Sequence, residues 1–114
     1  MLFSKNRLRK KKDFERVLRD KQSRALTVSF LGARMSNNGL PYTRVGFVVS
    51  KKVSKKAVVR NKIKRQLREV VRPLVKKFKK GFDIVVFVKP GTLGGDFKEI
   101  KSTTETLFKK MGIE

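Results

Sequence analysis

The sequence has no cysteine and no histidine, and only 9 of its 114 residues are acidic. Without cysteine there is no disulfide framework and no thiolate metal site. Without histidine the chain lacks the usual general base, the usual imidazole metal ligand and any Ser-His or Cys-His pair. We therefore expect no catalytic residue and no metal site on the protein itself.

Long apolar runs are also missing. No segment approaches the length that spans a membrane, and the N-terminus lacks the apolar region of a signal peptide, so we expect a cytoplasmic protein. Hydrophobic residues still make up 39% of the chain, which is enough for one modest core. No linker or internal repeat divides the sequence, and residues 1–114 are therefore expected to form a single domain.

Positive charge is what the sequence has in excess. It contains 31 Lys and Arg residues, for a net charge of +22, and between Lys21 and Phe82 there are 18 basic residues against Glu69 alone. Nucleic acid is the commonest partner for such a field. A membrane surface is the alternative. However, the apolar positions fall in several short segments instead of one long amphipathic face, so we expect no membrane partner.

The segment from Lys51 to Arg72 concentrates this charge, and its periodicity predicts a helix from about Ala57 to Val71. An apolar stripe recurs at steps of three and four residues, at Val59, Ile63, Leu67, Val70 and Leu74. A polar side groups Asn61, Arg65, Arg68 and Arg72, with Arg60, Lys62 and Lys64 beside them. From Lys51 to Arg68 there are nine basic residues and no acidic one.

Such a helix face needs a counter-charge. Glutamates spaced four residues from the lysines would indicate an ordinary solvated helix, but only Glu69 is available. The plain alternative is a basic face that merely keeps the protein soluble. Because nothing local offsets the repulsion, the pattern favours a helix that binds a polyanion.

The remaining segments predict a small α+β domain. A basic lead-in, Met1 to Lys12, is expected to be extended and solvent-facing, with Leu8 as its one candidate for the core. The predicted elements are a helix over about Lys11 to Asp20, strand sequence from Arg24 to Met35 that is divisible around Ala25 and again after Val28, a strand from Tyr42 to Ser50, a short helical piece from Leu74 to Lys79 after Pro73, a central strand from Asp83 to Val88 and a last helix from Phe97 to about Met111.

Turns and caps complete the sequence-based topology. Ser36 to Gly39 has the composition of a hairpin connection, and Asp96 with Glu99 matches a helix capping box. Capping explains that carboxylate pair, and helix geometry separates Asp13 from Glu15, so neither pair predicts acid–base catalysis. The order of elements describes a two-layer α/β sandwich, with the helices on one face of a small sheet.

A second candidate surface lies between the first helix and the sheet. Phe14, Leu18, Phe30 and Phe47 could shelter unpaired bases there, with core packing as the alternative for each aromatic ring. Charge for the same groove would come from the ends of two strands, at Ser50, Lys51, Lys52 and Lys89.

Taken together, these residues resemble a known family. The segment VGFVVSKKVSKKAVVRNKIKRQLRE, Val45 to Glu69, is similar to the signature of the bacterial ribonuclease P protein subunit, including its arginine-rich RNR motif. The resemblance continues through Leu8, Asp13-Phe14 and Val17 to Asp83–Val88, Lys89-Pro90 and the last helix. Two positions depart from it, because Lys62 replaces a second arginine and Leu18 stands where an aromatic residue is common.

The resemblance implies a fold and a function. The fold would be a four-stranded mixed sheet with three helices in the order αβββαβα and a left-handed β-α-β crossover, against the usual right-handed preference. The protein would bind a large catalytic RNA that, with its own bound magnesium ions, removes the 5′ leader of precursor tRNA. The implied contacts with catalytic RNA are Arg60, Asn61, Lys62, Lys64, Arg65 and Arg68. The implied contacts with the leader are Phe14, Leu18, Phe30, Ser50, Lys51, Lys52 and Lys89. One copy of the protein is expected in the complex.

Two other functions fit the composition. A ribosomal protein would have a similar charge, although the ordered motif from Arg60 to Arg68 argues against it. A nonspecific DNA-compacting protein would bind duplex DNA and structured RNA equally well.

Overall fold

The computed structural model describes residues 4–89 and 97–114. Within them the chain forms three α-helices and four β-strands: α1 Lys11–Arg19, β1 Arg24–Val28, β2 Leu31–Asn37, β3 Arg44–Val48, α2 Ala57–Leu74, β4 Phe82–Val88 and α3 Phe97–Met111. This is the predicted αβββαβα order. Short 3-10 turns cover Ser4–Asn6 and Val75–Lys77. The predicted cap at Asp96 lies outside the described residues.

The sheet has the strand order β1-β2-β4-β3, so the continuous apolar strand β4 is central, as predicted. β4 runs antiparallel to β2 and parallel to β3, and α2 connects the two parallel neighbours. In this register Ile84 of β4 lies between Met35 of β2 and Val45 of β3. The last strand in the sequence is therefore an inner strand of the mixed sheet.

The predicted hairpin at Ser36 to Gly39 is wrong, because β2 and β3 are not neighbours. Turn-forming residues signal a change of direction, but they do not indicate whether another strand fills the gap. Here the chain passes the start of β4, where the Asn38 backbone N–H donates to the Gly81 carbonyl at 2.9 Å. The true hairpin joins β1 to β2 through Ser29 and Phe30, and Ser29 has a φ of 53°.

The two faces of the sheet are covered differently. Alternate side chains of β4, at Ile84, Val86 and Val88, join the main core beneath α2 and α3. Val85 points the other way and packs with Val17 of α1. The expectation that the helices share one face therefore holds for α2 and α3 but not for α1. That difference makes a groove between α1 and the sheet possible.

Several boundaries differ from the sequence-based expectation. β3 is shorter than Tyr42 to Ser50, and α2 continues past its predicted end through Pro73 to Leu74, although proline has no N–H for a helical hydrogen bond. The lead-in is not wholly solvent-facing, since Asn6 and Leu8 are buried. The Leu8 backbone N–H donates to the Val45 carbonyl at 3.0 Å, which fastens this segment to the edge of β3.

Of the helices in 4–89 and 97–114, none combines the length and the apolar character that a membrane span requires.

Candidate nucleic-acid interface

Helix α2 separates into a buried face and a charged face. Ile63, Leu67 and Val70 of the predicted stripe are buried in the main core, which confirms the periodicity. Val59 is exposed because it lies near the free N-terminal end of the helix, and Leu74 is partly buried. This packing fixes the rotation of α2, so the opposite side of the helix must face solvent.

Of the six residues expected to contact catalytic RNA, Asn61, Arg65 and Arg68 lie on that outer side, Lys62 and Lys64 flank it, and Arg60 lies beside the buried stripe. Asn61, Lys62 and Arg65 are exposed, and Arg60, Lys64 and Arg68 are partly exposed. At about 100° per residue, Asn61, Arg65 and Arg68 fall within an arc of roughly 60°. In the described part of the chain, the ion pairs of Asp13 and Asp83 involve Arg16 and Arg44 and none of the α2 cations.

The first turn of α2 strengthens the positive field. It contains no acidic residue, and Lys56 at the N-cap forms no side-chain capping bond. The positive end of the helix dipole therefore adds to the nearby lysines. Arg60 donates from Nη1 to the Ser54 carbonyl at 2.9 Å, and this bond orders the chain just before the helix. One of the six predicted residues thus also has a structural contact.

A basic cavity of about 340 Å³ lies beside α2. Arg7 and Arg9 of the lead-in, together with Lys64 and Arg68 of α2, supply its positive charge, and Phe14 supplies an apolar wall. Burial lowers the pKa of Arg68, and the neighbouring Arg7 cation lowers it further. Arginine still remains protonated at neutral pH, so the cavity gathers like charges that an anion would relieve.

Side chains of α1 pack against the sheet at one end of the groove between them. The ring of Phe14 is half-buried and lies against Gly46 of β3, where an added Cβ would overlap it. Val17 is fully buried on Val85 of β4. Leu18 follows one turn after Phe14 and is 49% exposed. Phe14 and Leu18 therefore lie on the same face of α1, and their contact with a leader stays a prediction.

Strand ends bring charge to this groove. β3 and β4 are parallel neighbours, and their last registered pair is Val48 with Phe87. Ser50 and Lys89 follow two residues after this pair, just past the ends of β3 and β4, so they lie at the same edge of the sheet. Ser50, Lys51 and Lys52 are exposed, and Lys89 is partly buried with its backbone N–H donating to the Phe30 carbonyl at 2.8 Å. These residues therefore lie at one edge of the sheet, and their contact with a leader stays a prediction.

Phe30 is the predicted groove residue that the structure places elsewhere. Its side chain is 1% exposed and belongs to the core beneath α2 and α3. Leu26 and Val28 pack on the same side, in agreement with the alternation of β1. The prediction was wrong because alternation separates two faces without indicating which one stays open. Phe47 is likewise a core residue.

Sequence reasoning missed several residues of the interface. Arg7 and Arg9 were included in a solvated lead-in, and only their placement beside β3 brings them to the cavity. Val48, which is 38% exposed, lies on the groove face beyond Gly46. The alternation of β3 already placed Gly46, Val48 and Ser50 on one side, and this was the available signal for Val48.

Carboxylates are poorly arranged for binding a metal ion. Nowhere in residues 4–89 and 97–114 do three or more Asp or Glu side chains come together as potential ligands. Asp83 accepts hydrogen bonds from Arg16, Arg44 and Asn38, so its oxygens are already occupied. The described residues therefore include no carboxylate cluster of the kind that encloses a metal ion.

Comparison with known proteins agrees with this geometry. The model of the family described as Ribonuclease P matches residues 2–112. The chain belongs to the ribonuclease P protein family. A ribonuclease P protein component from Alkaliphilus oremlandii is 39% identical over 108 residues, covering 95% of this chain and 92% of that protein. One from Pseudanabaena sp. is 43% identical over 114 residues, covering 94% and 97%.

Solved ribonuclease P proteins have the same fold. The protein from Thermotoga maritima superposes with a TM-score of 0.80 at 35% identity, over 91% of this chain and 98% of that one. The protein from Staphylococcus aureus gives a TM-score of 0.82 at 28% identity, over 95% and 96%. The α+β architecture described above is therefore that of ribonuclease P proteins.

Proposed function

We propose that this chain is the protein subunit of a bacterial ribonuclease P holoenzyme, in which it binds the catalytic RNA through α2 and the 5′ leader of precursor tRNA through the groove. The supporting observation is the shared basic cavity. Lys64 and Arg68 of the RNA-binding helix line the same space as Phe14 of the groove. A catalytic RNA on α2 and a leader beneath α1 would therefore meet at a concentration of positive charge.

Electrostatics gives this arrangement its first role. Catalytic RNA and precursor tRNA are both polyanions, and bringing them together is opposed by phosphate repulsion. Cations placed between them reduce that repulsion and release condensed counterions. Arginine adds geometric fit, because its planar fork can bind two phosphate oxygens at once. The subunit should consequently lower the magnesium concentration at which the holoenzyme works.

Discrimination between substrate and product is the second role. Precursor tRNA carries a single-stranded leader that mature tRNA lacks, and the groove offers apolar and basic groups to such a strand. Stacking and backbone contacts tolerate any sequence, so sequence preference in the leader should be weak. Binding of the leader raises affinity for the precursor without equally raising affinity for the product.

The chemical step is assigned to the RNA. The chain has no histidine or cysteine, and its described residues include no group of three or more carboxylates. Magnesium is expected to be held mainly by the RNA, where it would supply the charge stabilisation and the activated water for phosphodiester hydrolysis. The protein contributes binding, orientation and counter-charge.

Reconstitution tests the proposal directly. Cleavage of a precursor tRNA by a bacterial ribonuclease P RNA is measured over a magnesium titration, with and without the chain. We expect the protein to shift the magnesium requirement to lower concentration and to lower KM for the precursor. An identical titration curve with and without the protein would overturn the proposal.

Recovery of bound RNA separates the alternatives. A tagged chain expressed in a bacterium should retain one RNA of a few hundred nucleotides. Recovery of ribosomal RNA would favour a ribosomal role. Equal affinity for duplex DNA and structured RNA at physiological salt would favour DNA compaction.

A further inference from the structure

We propose that Phe87 forms the aromatic floor of the groove and stacks against an unpaired leader base, an inference that depends on the proposed function. Phe87 is a β4 residue whose neighbours along the strand, Val86 and Val88, point into the main core. It therefore faces the α1 side together with Asp83 and Val85. Those two residues are fully covered, whereas Phe87 is only partly buried.

Gly32 holds the ring in place. It is the registered partner of Phe87 on β2, and a Cβ added there would overlap the Cε2 and Cζ atoms of the ring. The aromatic side chain therefore lies across bare backbone instead of standing away from the sheet. On the opposite side its registered partner on β3 is Val48, which is 38% exposed. Phe87 and Val48 together form an open apolar floor.

The wall above this floor is aliphatic. Leu18 of α1 is 49% exposed and offers an aliphatic side chain, not a ring. The Leu18 carbonyl accepts a hydrogen bond from Arg34 Nη1 at 3.3 Å, and Arg34 lies two residues from Gly32 on β2. Two residues of a strand span about 7 Å, so Gly32 and its partner Phe87 lie about that far along the sheet from Arg34.

Charge next to this floor indicates the ligand. Lys89 is two residues after Phe87, just past the end of β4, and Lys51 and Lys52 follow β3 at the same edge. A flat apolar surface beside cations suits a nucleobase attached to a phosphate backbone. Stacking of this kind needs no particular base, because every base has a π-face.

Affinity measurements on the reconstituted holoenzyme test the inference. We expect Phe87→Ala and Phe87→Leu to lower affinity for leader-bearing tRNA by about fivefold or more, the effect of losing one stacked base. Affinity for mature tRNA should not change. Gly32→Ala should give a smaller loss in the same direction by displacing the ring. The matched control is Phe97→Ala, which removes an aromatic residue that is 44% exposed on α3.

Fluorescence gives a readout that does not depend on cleavage. The chain contains no tryptophan, so Phe87→Trp introduces a single indole in the groove while keeping an aromatic surface. A leader-length oligonucleotide should quench its emission, and leader-dependent affinity should be retained. Phe87→Leu keeps apolar volume in case Phe87→Ala does not fold.

The outcomes separate the two proposals. If the wild-type holoenzyme shows no preference for leader-bearing tRNA, the proposed function is wrong and the role of Phe87 is lost with it. If the preference exists but survives both Phe87→Ala and Phe87→Leu, only the stacking role is overturned. Equal losses for precursor and mature tRNA, or an indole that the oligonucleotide does not quench, would also overturn it.

Discussion

Arg16 of α1 donates a hydrogen bond to the carboxylate of Asp83 in β4, and this pair ties the wall of the groove to its floor. Asp83 is completely buried. It also accepts hydrogen bonds from Arg44 Nε at 2.9 Å, Arg44 Nη2 at 2.7 Å and Asn38 Nδ2 at 2.9 Å. The pKa of Arg44 is raised, and the hydrogen bond that Arg44 donates to Asp83 is the largest cause. One buried carboxylate therefore joins α1, β3, β4 and the loop after β2.

Removing this carboxylate should destabilise the fold. Asp83→Ala leaves Arg44 with only the longer ion pair to Asp13 at 3.5 Å, and breaking a buried pair typically costs about 3–5 kcal/mol. Urea denaturation followed by circular dichroism measures the free energy of unfolding. Glu105→Ala removes a partly buried carboxylate on α3 and should change stability by less than about 1 kcal/mol. Equal effects of the two variants would contradict a special role for Asp83.

Arg16 should control the groove more than the overall fold. Its side chain is 42% exposed, so Arg16→Ala should leave the protein folded but loosen the attachment of α1. We expect a lower ratio of precursor to mature tRNA affinity in the holoenzyme. Arg19→Ala removes the same charge from the exposed last turn of α1 and is the matched control. Indistinguishable ratios for the two variants would show that charge alone matters.

Phe14 should contribute to leader binding as well as to packing. Its ring fills the space over Gly46 and also lines the basic cavity. If Phe14→Ala remains folded, it should weaken binding of leader-bearing tRNA more than binding of mature tRNA. Stacking losses are about 1–3 kcal/mol per base. Equal losses for the two ligands, measured by filter binding, would reduce Phe14 to a core residue.

Local patterns in the sequence were sufficient to identify the helix that carries most of the charge. The spacing of Ile63, Leu67 and Val70 placed one face of α2 in the core, and the charged residues then had to point outward. The alternation in β3 was equally informative, since Val45, Phe47 and Val49 are all buried. These predictions succeeded because each depends only on periodicity within a single element.

Relations between distant elements could not be predicted in the same way. The insertion of β4 between β2 and β3 depends on pairings more than 30 residues apart, such as Val45 with Ile84. The side of the sheet that α1 covers depends on docking through Arg16 and Val17. Without knowing which side α1 covers, Phe30 could be assigned to either face of the sheet. No pattern in the sequence indicated that Arg7 lies beside Arg68.

Arg65 tests the electrostatic part of the interface. It is fully on the exposed side of α2, so Arg65→Ala should remove about one phosphate contact without affecting the core. The slope of log affinity for catalytic RNA against log salt should flatten by roughly 0.7 to 0.9. Lys109→Ala on α3 is the control for loss of an exposed charge. An unchanged slope in Arg65→Ala would count against the assignment of α2.

The charge of Arg68 should favour RNA binding without stabilising the free protein. Burial and the nearby Arg7 lower the pKa of Arg68, which means that the folded protein disfavours its charge. At neutral pH the group is charged in both folded and unfolded states, so removing the charge should not destabilise the free protein. Arg68→Met retains the apolar stem while removing the guanidinium. We expect its free energy of unfolding to be equal to or above that of the wild type, together with weaker binding of catalytic RNA. A variant that loses stability while retaining RNA affinity would show that Arg68 is a structural residue and not part of the RNA-binding surface.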